Sequence, residues 1–222
     1  MIKAVLYDMD GTVLDTMPIY ERAWQYADDA FHLGGSVSCL LPQISGMNNA
    51  DIEALMRSRL EKGFPYADLR RTMATRFEEI VEANGIPCKA GAPEIFDRIR
   101  EMGLRQILVT SSSPKRVFPY LELAGIANAF DDVVTGDMVV HGKPDPEIFL
   151  LGAQKAGCKA CECVVVEDAA NGARAGIAAG MRTVMIPEYP PIPQDVAQNL
   201  WHECQSLAEL ADLIRVENES MK

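Results

Sequence analysis

The sequence has no apolar run that approaches the roughly 20 residues a membrane-spanning helix needs. Basic residues are also few, with 21 Lys and Arg against 32 Asp and Glu, which gives a net charge of −11. This charge disfavours long-range attraction of nucleic acids and anionic membranes, although a local basic pocket could still hold a phosphate. Since no basic and apolar leader precedes the first strand-like run, we expect a cytoplasmic protein without nucleic-acid or membrane partners.

Cysteine is scarce as well, with six residues in a chain of 222. We expect reduced thiols, mostly in apolar surroundings, as is usual in a cytosolic protein. Cys158, Cys161 and Cys163 form a C-x-x-C-x-C cluster that could indicate zinc or redox chemistry. No second Cys/His pair at metal spacing accompanies the cluster, and Cys163 leads into an apolar run. We therefore interpret the Cys163 side chain as part of the core.

Strand-like and helix-like segments alternate along most of the chain, which with 48% hydrophobic residues is long enough for a real core. The strand-like runs lie at residues 2–7, 106–110, 133–135, 163–166 and 183–186. Helical segments between them carry start and stop signals, such as Asp145 before and Gly157 after one of them. This alternation predicts an α/β fold built on a parallel sheet.

Residues from about 16 to 88 interrupt the alternation, because they contain helical patterns and no convincing strand. Apolar residues recur on one helical face in three successive stretches, around Trp24, Met56 and Phe77. We interpret residues 16–88 as an inserted helical domain and residues 1–15 and 89–222 as the core. Such a bundle would cover the strand ends as a lid, whereas ordinary helical packing is the alternative.

Two carboxylates stand at the end of the first strand-like run, in the motif D-x-D-G-T formed by Asp8, Asp10, Gly11 and Thr12. Open α/β sheets assemble ligand sites at such strand ends, and Gly11 allows a turn that brings amides toward an anion. Two acids this close repel each other unless a cation or a substrate balances them. An acidic turn after an edge strand is the alternative at this point.

Three further segments place polar side chains after other strands. They are the hydroxyl run 110–113, a lysine between glycine and proline at Lys143, and the acids Glu167 and Asp168. Alone, each has an ordinary explanation as a loop, a solvated lysine or a helix N-cap. Together they suit phosphoryl transfer, since carboxylates can hold Mg²⁺, attack phosphorus and move protons while a lysine balances the phosphate charge.

This order of motifs resembles the haloacid dehalogenase superfamily, in its phosphatase and phosphomutase branch with a helical cap. The resemblance covers about residues 3–215 and rests on D-x-D-G-T, then Ser or Thr, then Lys, then Glu-Asp. It implies a Rossmann-like α/β core with an inserted α-helical cap. It also implies Mg²⁺ as cofactor, a small phosphorylated metabolite as partner, and a monomer.

The resemblance implies a role for each matching residue. Asp8 would be the nucleophile, Asp10 the general acid and base, Lys143 the charge clamp, and Ser111 the phosphate-binding hydroxyl, with Thr110 as its alternative. The metal ligands would be Asp8, the Asp10 carbonyl, Asp168 and, directly or through water, Glu167. Substrate contacts are expected from Gly11, Thr12, Thr16, Tyr20, Asn49, Ser112 and Asn171.

Departures from the family pattern reduce the number of reactions expected of this chain. Dehalogenases and phosphonatases lack an acid at the position of Asp10. Members similar to β-phosphoglucomutase share Asp15 and Thr16, but they carry a His where this chain has Tyr20 and a cap Arg where it has Asn49. We therefore expect hydrolysis of a sugar, polyol or nucleoside phosphate through an aspartyl-phosphate. A mutase reaction and a noncatalytic phosphometabolite-binding protein remain alternatives.

Overall fold

The computed structural model describes residues 1–44, 47, 49–189 and 191–221. Its strands are β1 Ala4–Tyr7, β2 Arg105–Val109, β3 Asp132–Val134, β4 Cys163–Glu167, β5 Arg182–Met185 and β6 His202–Glu203. They form one parallel sheet in the order β3-β2-β1-β4-β5-β6, which confirms the predicted α/β fold. The sequence analysis missed β6, because two exposed residues carry no strand pattern.

The described residues also form ten α-helices. They are α1 Met17–Ala30, α2 Leu41–Ile44, α3 Asn49–Arg59, α4 Tyr66–Asn84, α5 Ala92–Glu101, α6 Pro114–Leu123, α7 Glu147–Ala156, α8 Ala170–Ala178, α9 Gln194–Ala197 and α10 Leu210–Ser220. As predicted, α7 ends at Gly157, whose φ of +67° suits glycine. Among the residues described, none of these helices has the length and apolarity to cross a membrane.

Both faces of the central strand β1 are covered by helices. Tyr7 packs on one face, with its ring edge-on to Phe96 of α5 at 5.5 Å. Leu6 points to the other face and shares a buried cluster with Phe149 of α7. Because side chains alternate along a strand, burial on both faces requires apolar residues throughout. This is why residues 4–7 read as one continuous apolar run.

Helices α1 to α4 occupy the stretch that interrupts the predicted alternation, and its described residues form no strand of the sheet. Two short linkers join this helical region to the sheet. The Asp15 amide donates to the Pro87 carbonyl at 2.8 Å, and the Lys89 amide donates to the Val13 carbonyl at 2.8 Å. The entry and exit of the helical region therefore run side by side.

Asp28 connects the end of α1 to the turn that follows it. Its buried carboxylate accepts hydrogen bonds from the amides of Gly35 at 2.7 Å, Val37 at 2.8 Å and Ser38 at 2.8 Å. Burial alone would raise the pKa of Asp28, but the three amide donors outweigh it and lower the pKa. The carboxylate thus supplies acceptors that the turn would otherwise lack.

We expect Asp28→Ala to lower the free energy of unfolding by about 3 kcal/mol, because three amides lose a charged acceptor. The folded-state pKa lies below the ordinary value of 3.8, so this stabilisation is present above that value. It is lost as pH falls through the folded-state pKa. Urea denaturation near neutral pH and at about pH 3 measures both effects.

Asp29→Ala is the matched control, since Asp29 is the exposed neighbour of Asp28 on the same helix. Its effect should stay below about 0.5 kcal/mol. Equal destabilisation by the two substitutions would contradict the role given to Asp28.

Candidate active site

Polar segments meet at one edge of the sheet because β1 lies between β2 and β4. Tyr7, the last residue of β1, is level with Leu108 in β2 and Val166 in β4. The Asp8 amide donates to the Val166 carbonyl at 3.0 Å, which places Asp8 beside Glu167 at the end of β4. The chain continues from β1 to β2 on one side and later returns to β4 on the other. Such a switch point opens a crevice at the carboxyl ends of the strands.

Lys143 reaches this crevice from the loop after β3. Its Nζ lies 2.5 Å from Asp8 Oδ1, 2.6 Å from Glu167 Oε1 and 3.4 Å from the Val109 carbonyl oxygen. Nζ also lies 4.9 Å from the centre of the Phe149 ring. Only 5% of the Lys143 side chain is exposed, which excludes a solvated surface lysine. The ammonium is therefore held between two carboxylates at the carboxyl ends of two different strands, β1 and β4.

Three buried carboxylates lie close together beside this one ammonium, and two of them contact it. Asp8, Glu167 and Asp168 each offer an oxygen within 4.8 Å of the others. Burial raises the pKa of Asp8 to about 8, with Lys143 opposing the shift and Glu167 adding to it. Burial, with Glu167 next, also raises the pKa of Asp168 well above its ordinary value. Since one ammonium cannot balance three carboxylates, the cluster has the charge and the oxygen donors that suit a divalent cation.

Two glycines allow these carboxylates to lie close to the backbone. Gly11 has a φ of +84°, and a Cβ there would lie 2.4 Å from Asp168 Oδ2. A Cβ at Gly172 would lie 1.8 Å from Glu167 Oε1. Thr12 Oγ1 donates to Asp168 Oδ1 at 3.2 Å and helps to fix that carboxylate. The geometry of the cluster therefore depends on the small residues around it.

The sequence left open whether Asp168 is the N-cap of a helix. In the structure Ala169 occupies the N-cap of α8, so Asp168 is not the cap. Its carboxylate instead belongs to the buried cluster. The other predicted acid, Asp10, lies apart from that cluster. Its Oδ2 accepts a hydrogen bond from Ser112 Oγ at 3.0 Å, and its Oδ1 lies 3.6 Å from Arg116 Nη2.

A cavity of about 590 Å³ extends from the strand ends to helices α1 to α4. The predicted site residues that line it are Asp8, Asp10, Tyr20, Ser111, Ser112, Lys143, Glu167 and Asp168. Thr110 also lines the cavity, so Thr110 and Ser111 both remain candidates for the phosphate-binding hydroxyl. Thr110 is buried and Ser111 is exposed.

Other predicted substrate contacts lie outside the lining of this cavity. They are Gly11, Thr12, Thr16 and Asn171. Thr16 is fully buried, and Asn171 Oδ1 accepts a hydrogen bond from Arg174. The side chain of Asn49 lies outside the described residues, as do its neighbours 45, 46 and 48. These five substrate assignments remain predictions.

The sequence analysis missed four polar side chains that line the cavity, namely Arg70, Glu78, Arg116 and Tyr189. Arg70, Ala74 and Glu78 recur every four residues on α4, next to its apolar face, and this spacing could have revealed them. Tyr189 belongs to a proline-rich stretch, residues 187–193, whose sequence is typical of a surface loop. Its ring instead lines the cavity, and its hydroxyl donates to Glu21 of α1 at 2.8 Å.

The cysteines take no part in this site. All six are free, and Cys163 is buried as predicted, whereas Cys39 and Cys161 are exposed. The C-x-x-C-x-C cluster is not among the groups of described residues that could hold a metal. A second such group, His141, Asp145 and Glu147, lies toward the surface.

Comparison with known proteins identifies the family. Residues 2–180 match the family of haloacid dehalogenase-like hydrolases. The chain belongs to this family. This hydrolase is 34% identical to hexitol phosphatase A of Escherichia coli over 187 residues, 83% of this chain and 82% of the relative. It is 32% identical to fructose-1-phosphate phosphatase YqaB of Escherichia coli over 194 residues, 81% of this chain and 94% of the relative.

A solved structure resembles the whole hydrolase. The crystal structure of CbbY from Rhodobacter sphaeroides in complex with phosphate superposes with a TM-score of 0.74 at 25% identity. The match covers 95% of this chain and 96% of the CbbY chain. The family resemblance and the Rossmann-like α/β core expected from the sequence are thereby confirmed.

The approach of Gly172 to Glu167 gives a testable prediction for this hydrolase. In an ordinary helix, Gly→Ala stabilises by up to about 1 kcal/mol. We expect Gly172→Ala instead to lower the free energy of unfolding by about 2 kcal/mol, because the added methyl displaces the buried Glu167 carboxylate. Chemical denaturation measures the change.

Gly142→Ala is the control, since a Cβ at Gly142 would meet nothing within 4 Å. It should change the stability by less than about 0.5 kcal/mol. A Gly172→Ala variant as stable as the parent would show that Glu167 is not held where the structure has it.

Proposed function

We propose that this hydrolase is a Mg²⁺-dependent phosphatase that hydrolyses a small phosphomonoester through an aspartyl-phosphate intermediate. The observation that carries the proposal is the buried contact of Lys143 Nζ with Asp8 and Glu167, at 2.5 and 2.6 Å. A carboxylate that attacks a phosphate dianion needs positive charge beside it, and a preorganised ammonium supplies that charge. Two relatives carry the names of phosphatases for hexitol and fructose-1-phosphate substrates, which supports hydrolysis.

The proposed reaction has two steps. An Asp8 oxygen attacks phosphorus and forms an O–P bond, while the bond to the leaving oxygen breaks and Asp10 gives that oxygen a proton. Asp10 then takes a proton from water, which attacks phosphorus, restores the Asp8 carboxylate and releases inorganic phosphate. Lys143 and the hydroxyl of Thr110 or Ser111 bind the phosphoryl oxygens in both steps.

Mg²⁺ fits the donors of the proposed site, because all of them are oxygens and most are charged. The carboxylates of Asp8, Asp168 and Glu167 would hold it, together with the backbone carbonyl of Asp10. When bound, it would neutralise part of the charge on the phosphate. The excess of carboxylates over the single ammonium of Lys143 supports this assignment.

We also propose that residues 16–88 form a cap domain over a core made of residues 1–15 and 89–222. The paired linkers at Asp15 and Lys89 support these boundaries. Residues of both parts line the cavity, and the Tyr120 hydroxyl of α6 donates to Glu78 of α4 at 2.6 Å. A site covered on one side by a helical cap favours small metabolites over phosphoproteins, with Tyr20 and Ser112 as substrate contacts.

Replacing the proposed nucleophile tests the function directly. We expect Asp8→Asn to reduce hydrolysis of p-nitrophenyl phosphate by at least about a thousandfold, because the amide cannot form the acyl phosphate. Initial rates of p-nitrophenol release in Mg²⁺ buffer measure the loss. Asp97→Asn, an exposed carboxylate on α5, is the matched control and should keep the parental rate. Substantial turnover by Asp8→Asn would refute the assignment.

Binding of Mg²⁺ can be measured without turnover. We expect Mg²⁺ to raise the melting temperature, since it relieves repulsion among the three carboxylates in the folded state alone. At about 100 times its Kd, the stabilisation would reach about 2.7 kcal/mol. Thermal unfolding with MgCl₂, against KCl of equal ionic strength, measures the shift.

Asp168→Asn should remove most of this thermal shift, because it takes away one charged ligand. Asp97→Asn should leave the shift unchanged. An equal shift in all three proteins would place Mg²⁺ somewhere other than the proposed site.

A further inference from the structure

Arg116 of α6 lines the cavity, but the proposed reaction assigns it no function. Its guanidinium carbon lies 4.6 Å from the ring centre of Phe77, 5.0 Å from that of Tyr120 and 5.2 Å from that of Tyr20. Tyr120 belongs to α6 itself, whereas Tyr20 and Phe77 belong to α1 and α4. The faces of aromatic rings attract cations, so rings from both sides of the cavity hold the guanidinium in place.

The same guanidinium faces Asp10. Arg116 Nη2 lies 3.6 Å from Asp10 Oδ1, and both atoms are buried without a hydrogen-bond partner. The other oxygen of Asp10 accepts a hydrogen bond from Ser112 Oγ. Buried polar atoms without partners are costly, so a shift of a few tenths of an ångström that joins Nη2 to Oδ1 is favoured. A carboxylate contacted on both oxygens has a single orientation.

We infer that Arg116 is a positioning residue that orients Asp10 for proton transfer while Tyr20 and Phe77 enclose its guanidinium. The inference rests on the proposed function, in which Asp10 protonates the leaving oxygen. Tyr20 and Phe77 lie within residues 16–88, and Asp10 lies within the core. Arg116 therefore makes the orientation of the acid depend on the position of the cap. General acid catalysis requires such orientation, since the proton must lie within hydrogen-bond reach of the leaving oxygen.

The test compares two leaving groups in Arg116→Met. p-Nitrophenolate leaves readily without a proton, whereas the alkoxide of 2-phenylethyl phosphate needs one. We expect release of 2-phenylethanol in single turnovers to slow about 100-fold, and release of p-nitrophenol to slow less than about threefold. Single turnovers isolate the first step from hydrolysis of the aspartyl-phosphate. Equal slowing with both esters, or none with either, would overturn the inference.

Two further variants separate positioning from structure. Arg116→Lys keeps the positive charge on a side chain of different shape, so it should recover part of the rate with the alkyl ester. This variant also provides a test of the inference if Arg116→Met folds poorly. Lys115→Met removes an exposed positive charge at the neighbouring position of α6, outside the cavity lining, so both esters should react at the parental rate. Selective loss with Lys115→Met would assign the effect to the general charge of α6 and overturn the role of Arg116. A parent protein that hydrolyses neither ester would instead contradict the proposed function itself.

Discussion

The contact of Lys143 with Asp8 and Glu167 is the interaction on which the rest of the site depends. Buried charges are costly to remove from water, and they are tolerated only where geometry and hydrogen bonds compensate. Here one ammonium faces a cluster that includes a third carboxylate, Asp168, so protons or a cation must balance the remaining negative charge. The α/β core makes this arrangement possible, because apolar residues cover both faces of β1 and hold the strand ends rigidly.

Close packing around the carboxylates sets their positions as much as charge does. Gly11 and Gly172 leave room for Asp168 and Glu167, where any larger side chain would collide with an oxygen. The strand end therefore serves two purposes, since it turns the backbone and supplies space for ligand atoms. A carboxylate fixed by its neighbours loses little freedom when it binds a cation or a phosphate, which is the physical content of preorganisation.

The sequence predicts those parts of the fold and site that local patterns encode. The central strands are predictable because burial on both faces demands continuous apolar runs, and Asp8, Glu167 and Asp168 are visible because they directly follow such runs. The two exposed residues of β6 offer no comparable pattern. Arg116 could not be identified from the sequence, because its proposed role depends on contacts with Asp10, Tyr20 and Phe77, which are distant in the chain. Pairing across such distances follows from topology, which single-residue patterns do not contain.

The contrast between local patterns and contacts of distant residues also explains why family membership identifies the chemistry more closely than the substrate. In the proposed reaction the strand-end residues would act on the phosphate, which every phosphomonoester shares, so they carry no information about the rest of the substrate. The organic part of a substrate would instead meet the helical side of the cavity. Half-buried apolar side chains line that side, among them Met17, Leu41 and Ile52, beside the guanidinium of Arg70. Under the proposed function, residues 16–88 would therefore contribute to discrimination between substrates, because hydroxyl groups that meet an apolar wall without a polar partner are disfavoured.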